Sequence, residues 1–132
     1  MKLIDKLAWI EIKDKSVLST KSYGKEVFYL PGGKRKTGET DFQALCREIK
    51  EELSIDLILE TSDFIGIFQA HAHGHSNDVF VKMTCYSARY EGTLKADAEI
   101  EEILWLNYAD REKVSAVDKI IFDFLKEKQL ID

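Results

Sequence analysis

Hydrophobic positions recur along this chain at two different spacings. Phe42, Leu45, Ile49 and Leu53 repeat every three or four residues, which predicts a helix beginning near residue 41. Thr40 and Gln43, three apart, form a capping-box pattern at its start, with Asp41 in the first turn. A second helical stripe, Val114, Val117, Ile120, Ile121, Phe124 and Leu125, predicts a helix over 111–127. The other apolar runs are short and rich in β-branched and aromatic residues. Residues 7–12 and 16–19 read as a hairpin around Lys13-Asp14-Lys15, and 26–30 as a strand stopped by Pro31-Gly32-Gly33. Further strands are predicted over 57–60, 63–71, 79–90 and 101–106, with a polar loop, 74–78, between the middle two. Strands on both sides of a central helix, closed by a terminal helix, predict an α/β fold with a sheet between helices.

Composition narrows the class. At 132 residues and 45% hydrophobic content the chain has material for one core, so a single domain over 1–132 is expected. A net charge of −5 argues against a dedicated nucleic-acid binder, although a local basic loop or a metal still admits an anionic ligand. No run reaches the roughly 18 apolar residues of a membrane span, and charge interrupts the N-terminus too early for a signal peptide. Cys46 and Cys85 fall inside predicted elements and read as reduced core residues, so a cytoplasmic protein is expected.

Glu48, Glu51 and Glu52 crowd into five positions of the first helix. With Glu48 at zero, Glu52 lies at about +40° and Glu51 at about −60°, while Leu45, Ile49, Phe42, Leu53 and Cys46 span about +60° to +160°. The acids therefore occupy the seam beside the buried face. Ala44, at about −40°, is the one small residue in that strip, a place for close approach. Like charges at this spacing repel by a few tenths of a kcal/mol per pair. Either this is an ordinary acidic face, or a divalent cation with a taste for hard oxygen ligands supplies the opposite charge. The preceding segment bears on the choice. Gly32 and Gly33 permit a tight turn with close backbone approach, Lys34, Arg35 and Lys36 place positive charge beside it, and Glu39 is within reach of Arg47.

From Gly33 to Ile55 these residues resemble the Nudix box, G-x5-E-x7-R-E-U-x-E-E-x-G-U, with U a bulky aliphatic. Gly33, Glu39, Arg47, Glu48, Ile49, Glu51, Glu52 and Ile55 match eight of its nine specified positions. The ninth departs: Ser54 stands where the family has glycine, just past a helix end where left-handed backbone is common. There serine costs about 1 kcal/mol, or the helix ends differently.

The resemblance implies a Nudix-type α/β/α sandwich with a mixed sheet. It also implies hydrolysis of a nucleoside diphosphate linked to another group, with Mg²⁺ or Mn²⁺ as cofactor. By matching position Glu48, Glu51 and Glu52 would be metal ligands, with the Gly33 carbonyl a further one. Arg47 and Glu39 would be an orienting pair, and Gly32 would support the turn. The base that takes the water proton varies in the family and would be a box glutamate, Glu48 or Glu51, or one from a later loop, and in 97–106 the acids resemble the stretch where many members carry one more metal or base glutamate. Glu99 fits best there, ahead of Glu101 and Glu102, and a solvated acidic loop is the plain alternative.

For the substrate, Lys34 and Arg35 are candidate phosphate contacts, and Tyr29 a stacking surface, with Tyr23, Phe28 and Phe68 as alternatives. The only three histidines, His71, His73 and His75, alternate along one stretch. They read as loop residues, as a pocket lip led by His71, or as a transition-metal site. The expected partner is a small nucleotide, with no nucleic acid and no membrane, and the chain as monomer or homodimer. Two rivals remain: a non-catalytic Nudix module that senses a nucleotide, which the intact acid set disfavours, and an isoprenyl-diphosphate isomerase type, whose added features are missing.

Overall fold

The computed structural model describes residues 2–72 and 78–132. Its element order is β1 (Lys2–Trp9), β2 (Ile12–Lys13), β3 (Ser16–Ser22), β4 (Gly32–Lys34), α1 (Asp41–Leu53), β5 (Asp56–Leu57), β6 (Asp63–His71), β7 (Val79–Ser87), β8 (Tyr90–Glu91), β9 (Ile100–Leu106) and α2 (Ala116–Glu127). A four-stranded mixed sheet runs β4-β1-β7-β6, with β1 and β7 parallel and the other pairs antiparallel. A three-stranded antiparallel sheet runs β2-β3-β9, and β5 pairs with β8.

Strand β1 explains the layering. Its end, Leu7 to Trp9, and the following Ile10 are buried without a break, as in a strand covered on both faces. Leu7 and Trp9 pack with Ala44, Leu45, Ile49 and Leu53 of α1. Ala8 and Ile10 belong to the opposite cluster, with Val117, Ile121, Phe122 and Leu125 of α2. The mixed sheet therefore lies between the two helices, the expected α/β/α arrangement. Among the described residues no helix is long and apolar enough to cross a membrane, and both cysteines are free thiols.

Several boundaries differ from the sequence expectation, each for a local reason. The 7–19 hairpin divides between two sheets. Only β2 and β3 form the hairpin, over a two-residue turn at Asp14 and Lys15, whose φ angles of 51° and 61° suit the twist of a tight hairpin. Residues 26–30 form no strand of their own: Tyr29 bridges Thr20 and Phe28 bridges Val114. The 57–60 run keeps only β5 before a 3-10 turn at Leu59–Thr61. The 79–90 run breaks after Ser87, where the carbonyl of Ala88 turns aside to accept the Trp9 indole N–H at 3.1 Å.

The last helix starts five residues later than predicted. Tyr108–Lys113 is a 3-10 turn, Val114 is extended against Phe28, and α2 begins after Ser115. Its buried face is then Val117, Asp118, Ile121, Phe122 and Leu125, whereas Ile120 of the predicted stripe is 40% exposed. Ala44 is fully buried in the core beneath α1. The close approach its size allows is made by protein, not by a ligand.

Candidate metal and active site

The site begins with the turn at Gly32 and Gly33. Gly32 has φ +146°, and a Cβ on it would fall 2.0 Å from the Leu7 carbonyl oxygen. A Cβ on Gly33 would fall 2.4 Å from the Glu48 carboxylate. Gly32 meets backbone and admits no side chain, whereas a side chain on Gly33 would displace the Glu48 carboxylate, so β4 lies close to β1 on one side and α1 on the other. The Gly32 N–H donates to Glu52 Oε1 at 3.0 Å, which ties turn and helix together.

Helix α1 presents its acids at three depths. Thr40 caps it, accepting from the Gln43 N–H at 3.2 Å while the Gln43 side chain accepts from the Thr40 N–H at 2.9 Å. Glu52 is buried, Glu48 half-buried, and Glu51 exposed. Arg47 grips Glu39 through two donors, Nε to Oε2 at 2.7 Å and Nη2 to Oε1 at 2.9 Å. It also donates to Glu48 Oε1 at 2.8 Å and to the Lys34 carbonyl at 3.0 Å. Glu51 stands 3.6 Å from the same guanidinium. That fork holds the Glu39 carboxyl down at about 2 and raises the guanidinium in turn.

Glu99 arrives from the loop before β9. The Asp97 N–H donates to the Glu52 carbonyl at 2.9 Å and the Lys95 N–H to the Leu53 carbonyl at 3.0 Å, filling two acceptors left open at the end of α1. Ala98 adopts φ +50°, and the Glu99 carbonyl accepts the Tyr23 N–H at 2.9 Å. One carboxylate oxygen from each of Glu48, Glu52 and Glu99 then lies within 4.8 Å of the other two. Burial pushes the Glu52 carboxyl up to about 9; the Gly32 N–H opposes this, and Glu99 and Glu48 add to it. Glu48 is raised too, chiefly by burial, against the pull of Arg47. A cation between them would favour the ionised forms of Glu52 and Glu48. The all-oxygen donor set fits a hard divalent ion.

A cavity of about 570 Å³ opens from this cluster. Gly32, Gly33, Glu48, Glu52 and Glu99 form one end. Tyr29 and His71 also line it, Tyr29 held by paired backbone hydrogen bonds with Thr20 of 2.7 and 2.9 Å. His71 stacks at a tilt on Phe80, with ring centres 4.3 Å apart. Lys34 reaches the same cavity.

Other candidates lie elsewhere. Arg35 is not part of the wall; it bonds Asp5 at 3.0 Å, Asp41 at 2.5 Å and the Glu39 carbonyl at 3.2 Å. Glu101 pairs with Lys21 at 2.5 Å, and Glu102 is exposed on β9. Tyr23 is exposed, while Phe28 and Phe68 pack on the α2 core. His73 and His75 lie outside the described residues.

Three charged residues at this cavity escape a reading by pattern, and Lys25 on its lining is the first. Lys6 lines it too, with Nζ 5.8 Å from the centre of the Tyr29 ring. Asp118 sits fully buried behind the wall made by Leu30, Ser115 and Val117. Its Oδ2 accepts the Leu30 N–H at 2.9 Å, and its other oxygen and the Ser115 hydroxyl are enclosed without a well-formed hydrogen bond. Burial raises its carboxyl to about 6. The available signal was an acid inside an apolar helical stripe.

An α/β/α sandwich thus brings together a glycine turn, an arginine-clamped acidic helix and a loop glutamate, and the three carboxylates could hold a metal ion. The NUDIX domain model matches residues 7–125, and the chain belongs to that family. Membership supports pyrophosphohydrolase activity as the reaction class and divalent metals as the usual helpers. Solved structures share the fold. The E. coli ORF135 protein is 22% identical with a TM-score of 0.75, covering 97% of this chain and 92% of its own. The MutT protein from Methanosarcina mazei Go1 is 18% identical with a TM-score of 0.76, covering 96% and 95%. The MutT NUDIX hydrolase from Burkholderia pseudomallei is 20% identical with a TM-score of 0.74, covering 93% and 98%. No curated protein sequence matches.

Proposed function

We propose that this chain hydrolyses a pyrophosphate bond in a nucleoside diphosphate linked to another group, using Mg²⁺ or Mn²⁺. The observation that carries the reading is the convergence of Glu48, Glu52 and Glu99 within 4.8 Å at one end of a 570 Å³ cavity. Bound there, the cation supplies neutralising charge to the diphosphate and a more acidic water. The chain's own residues do the rest. Glu48, Glu52 and Glu99 hold the cation, with the Gly33 backbone alongside, and Glu51 belongs to the same acid group by its place in the motif. Arg47, clamped by Glu39, fixes the rotamer of Glu48. Lys34 faces the phosphates, and Tyr29 and His71 frame the remainder of the substrate. Arg35, engaged by Asp5 and Asp41, supports the loop rather than the ligand.

The deciding experiment is release of phosphate or pyrophosphate from a panel of nucleoside triphosphates, ADP-ribose-like compounds and dinucleoside polyphosphates, with and without Mg²⁺. Turnover that depends on metal and is lost in Glu52→Gln is the expected result. Tight nucleotide binding with no turnover on any compound would replace the enzyme with a sensor module.

A further inference from the structure

Lys6 and Lys34 stand directly opposite each other in the antiparallel register of β1 and β4. Residues paired this way project from the same face of a sheet. Both line the cavity. The rest of that floor is apolar: Ile4 precedes Lys6 on the same face of β1, and Val81 and Met83 are their register partners on β7. Like charges directly opposite in a ladder are destabilising. A partly buried ammonium on an apolar floor adds a desolvation cost. Isoleucine or methionine at position 6 would match these neighbours in packing; what the fold gains from the lysine is an attraction to the buried Asp118.

The nearby acids relieve the pair only in part. Glu48 and Glu52 line the same cavity, yet among the described residues neither lysine forms an ion pair. Asp118 attracts Lys6 through the wall but forms no direct ion pair with it, its Oδ2 accepting the Leu30 N–H. One cavity thus holds three ammonium groups, those of Lys6, Lys25 and Lys34, of which only Lys6 and Lys34 are register partners, and a carboxylate cluster that forms no ion pair with them. A ligand carrying both signs satisfies both sets: a diphosphate whose metal ion meets the carboxylates and whose remaining oxygens meet the lysines.

We propose that Lys6 and Lys34 form an anion clamp on the cavity floor, holding the phosphate oxygens that the metal ion leaves uncovered. The clamp rests on the reading of this cavity as a pyrophosphate site, and it adds Lys6 as a binding residue. It also narrows the substrate: the cleaved compound presents its diphosphate to the β1–β4 floor, with Tyr29 beside the Lys6 ammonium.

Isothermal titration calorimetry in Mg²⁺ with two uncleavable probes, methylenediphosphonate and α,β-methylene-ADP, tests the clamp. Lys6→Met should bind each probe that the wild type binds about tenfold more weakly, and Lys6→Arg should recover most of that loss. Lys2→Met, at an exposed position on the same strand, should bind as wild type does. In an Asp118→Asn background, where the attraction between Lys6 and the buried carboxylate is gone, Lys6→Met should also melt at the same temperature as its parent or higher, since it removes a charge from an apolar floor. Unchanged affinity in Lys6→Met overturns the clamp and leaves the enzymatic reading standing. A loss confined to α,β-methylene-ADP when both probes bind wild type also overturns it, because Lys6 would then contact the nucleoside. A melting temperature below that parent's assigns Lys6 a structural role instead. If wild type binds neither probe, the clamp and the pyrophosphate reading fall together.

Discussion

The backbone carbonyl of Glu52 accepts the N–H of Asp97 at 2.9 Å, so the loop bearing Glu99 is tied to the same helical turn that carries the Glu52 carboxylate. Helix ends leave carbonyls without intrahelical partners. Here the loop fills that need and in doing so delivers a third acid beside two others. Spacing between Glu99 and the box is therefore set by capping hydrogen bonds rather than by the loop's own sequence.

Metal dependence of stability follows from this arrangement. Without a cation, Glu52 is a buried carboxyl raised to about 9 beside two other acids. Glu52→Gln keeps an oxygen for the Gly32 N–H and removes the ionisable group. The metal-free variant should melt at or above the wild-type temperature. Millimolar Mg²⁺ should raise the melting point of wild type, by mass action on the folded state, and do little for the variant. Thermal melts with and without EDTA read both effects. A variant still stabilised by Mg²⁺ as much as wild type would remove Glu52 from the ligand set.

The clamp on Arg47 makes a kinetic prediction. Its planar fork bonds both oxygens of Glu39 and still reaches Glu48 and the Lys34 carbonyl. Lysine offers a point charge in place of that fork and cannot make all of these contacts at once. Arg47→Lys should lower kcat by about 100-fold through a misplaced Glu48, with a much smaller change in KM. Steady-state kinetics on whichever nucleotide is turned over provides the check, and a KM effect alone would mean that Arg47 binds substrate.

How far the sequence foretold the site depended on whether local periodicity or long-range packing decides each position. The helical wheel put Glu48, Glu51 and Glu52 together at the seam beside the buried face, and the structure spreads them from buried Glu52 to exposed Glu51. Thr40 and Gln43 form the cap they announced because capping is local. Arg35 was misleading: its charge pointed to phosphate, but Asp5, some thirty residues earlier, captures it across the sheet. Lys6 and Asp118 were hidden for the same reason. One lies in a strand whose register decides what it faces, the other in a helix whose true start at Ala116 changes which face is buried. The splitting of the first hairpin between two sheets also depends on non-local pairing that alternation alone cannot report.

Asp118 gives the chain a pH dependence away from the carboxylate cluster. Its ordinary value of 3.8 is raised to about 6 by burial, against the Leu30 N–H, Lys6 and Ser115, which favour ionisation. A raised folded value means the contribution to stability is fully present below 3.8 and is lost as pH climbs through about 6. The loss is on the order of 2 kcal/mol between pH 4 and 7. Asparagine still accepts from the Leu30 N–H and has no charge to bury. Denaturant unfolding of wild type and Asp118→Asn across that range should show the variant gaining on wild type as pH rises. Parallel pH profiles would exclude ionisation of Asp118 as the source.

Ser54 offers a test of how the helix end and the chemistry are coupled. It occupies the glycine position of the box with φ 62° and ψ 28°, so the left-handed ending is kept despite the side chain. Its N–H still bonds the Lys50 carbonyl at 3.1 Å, and its hydroxyl lies 3.4 Å from Asp97 Oδ2, a weak contact. Glycine pays no Cβ penalty in this conformation, so Ser54→Gly should gain about 1 kcal/mol, less what the Asp97 contact contributes. In a chain of this size that is a rise of about 3 °C in Tm. Turnover should not change, because the Glu52–Asp97 and Leu53–Lys95 backbone bonds, not the serine hydroxyl, position Glu99. Calorimetry and kinetics on the one variant separate the two effects. A higher Tm with equal kcat is the expected pairing, and a kcat altered severalfold would show that the serine–aspartate contact reaches the site through the Glu99 loop.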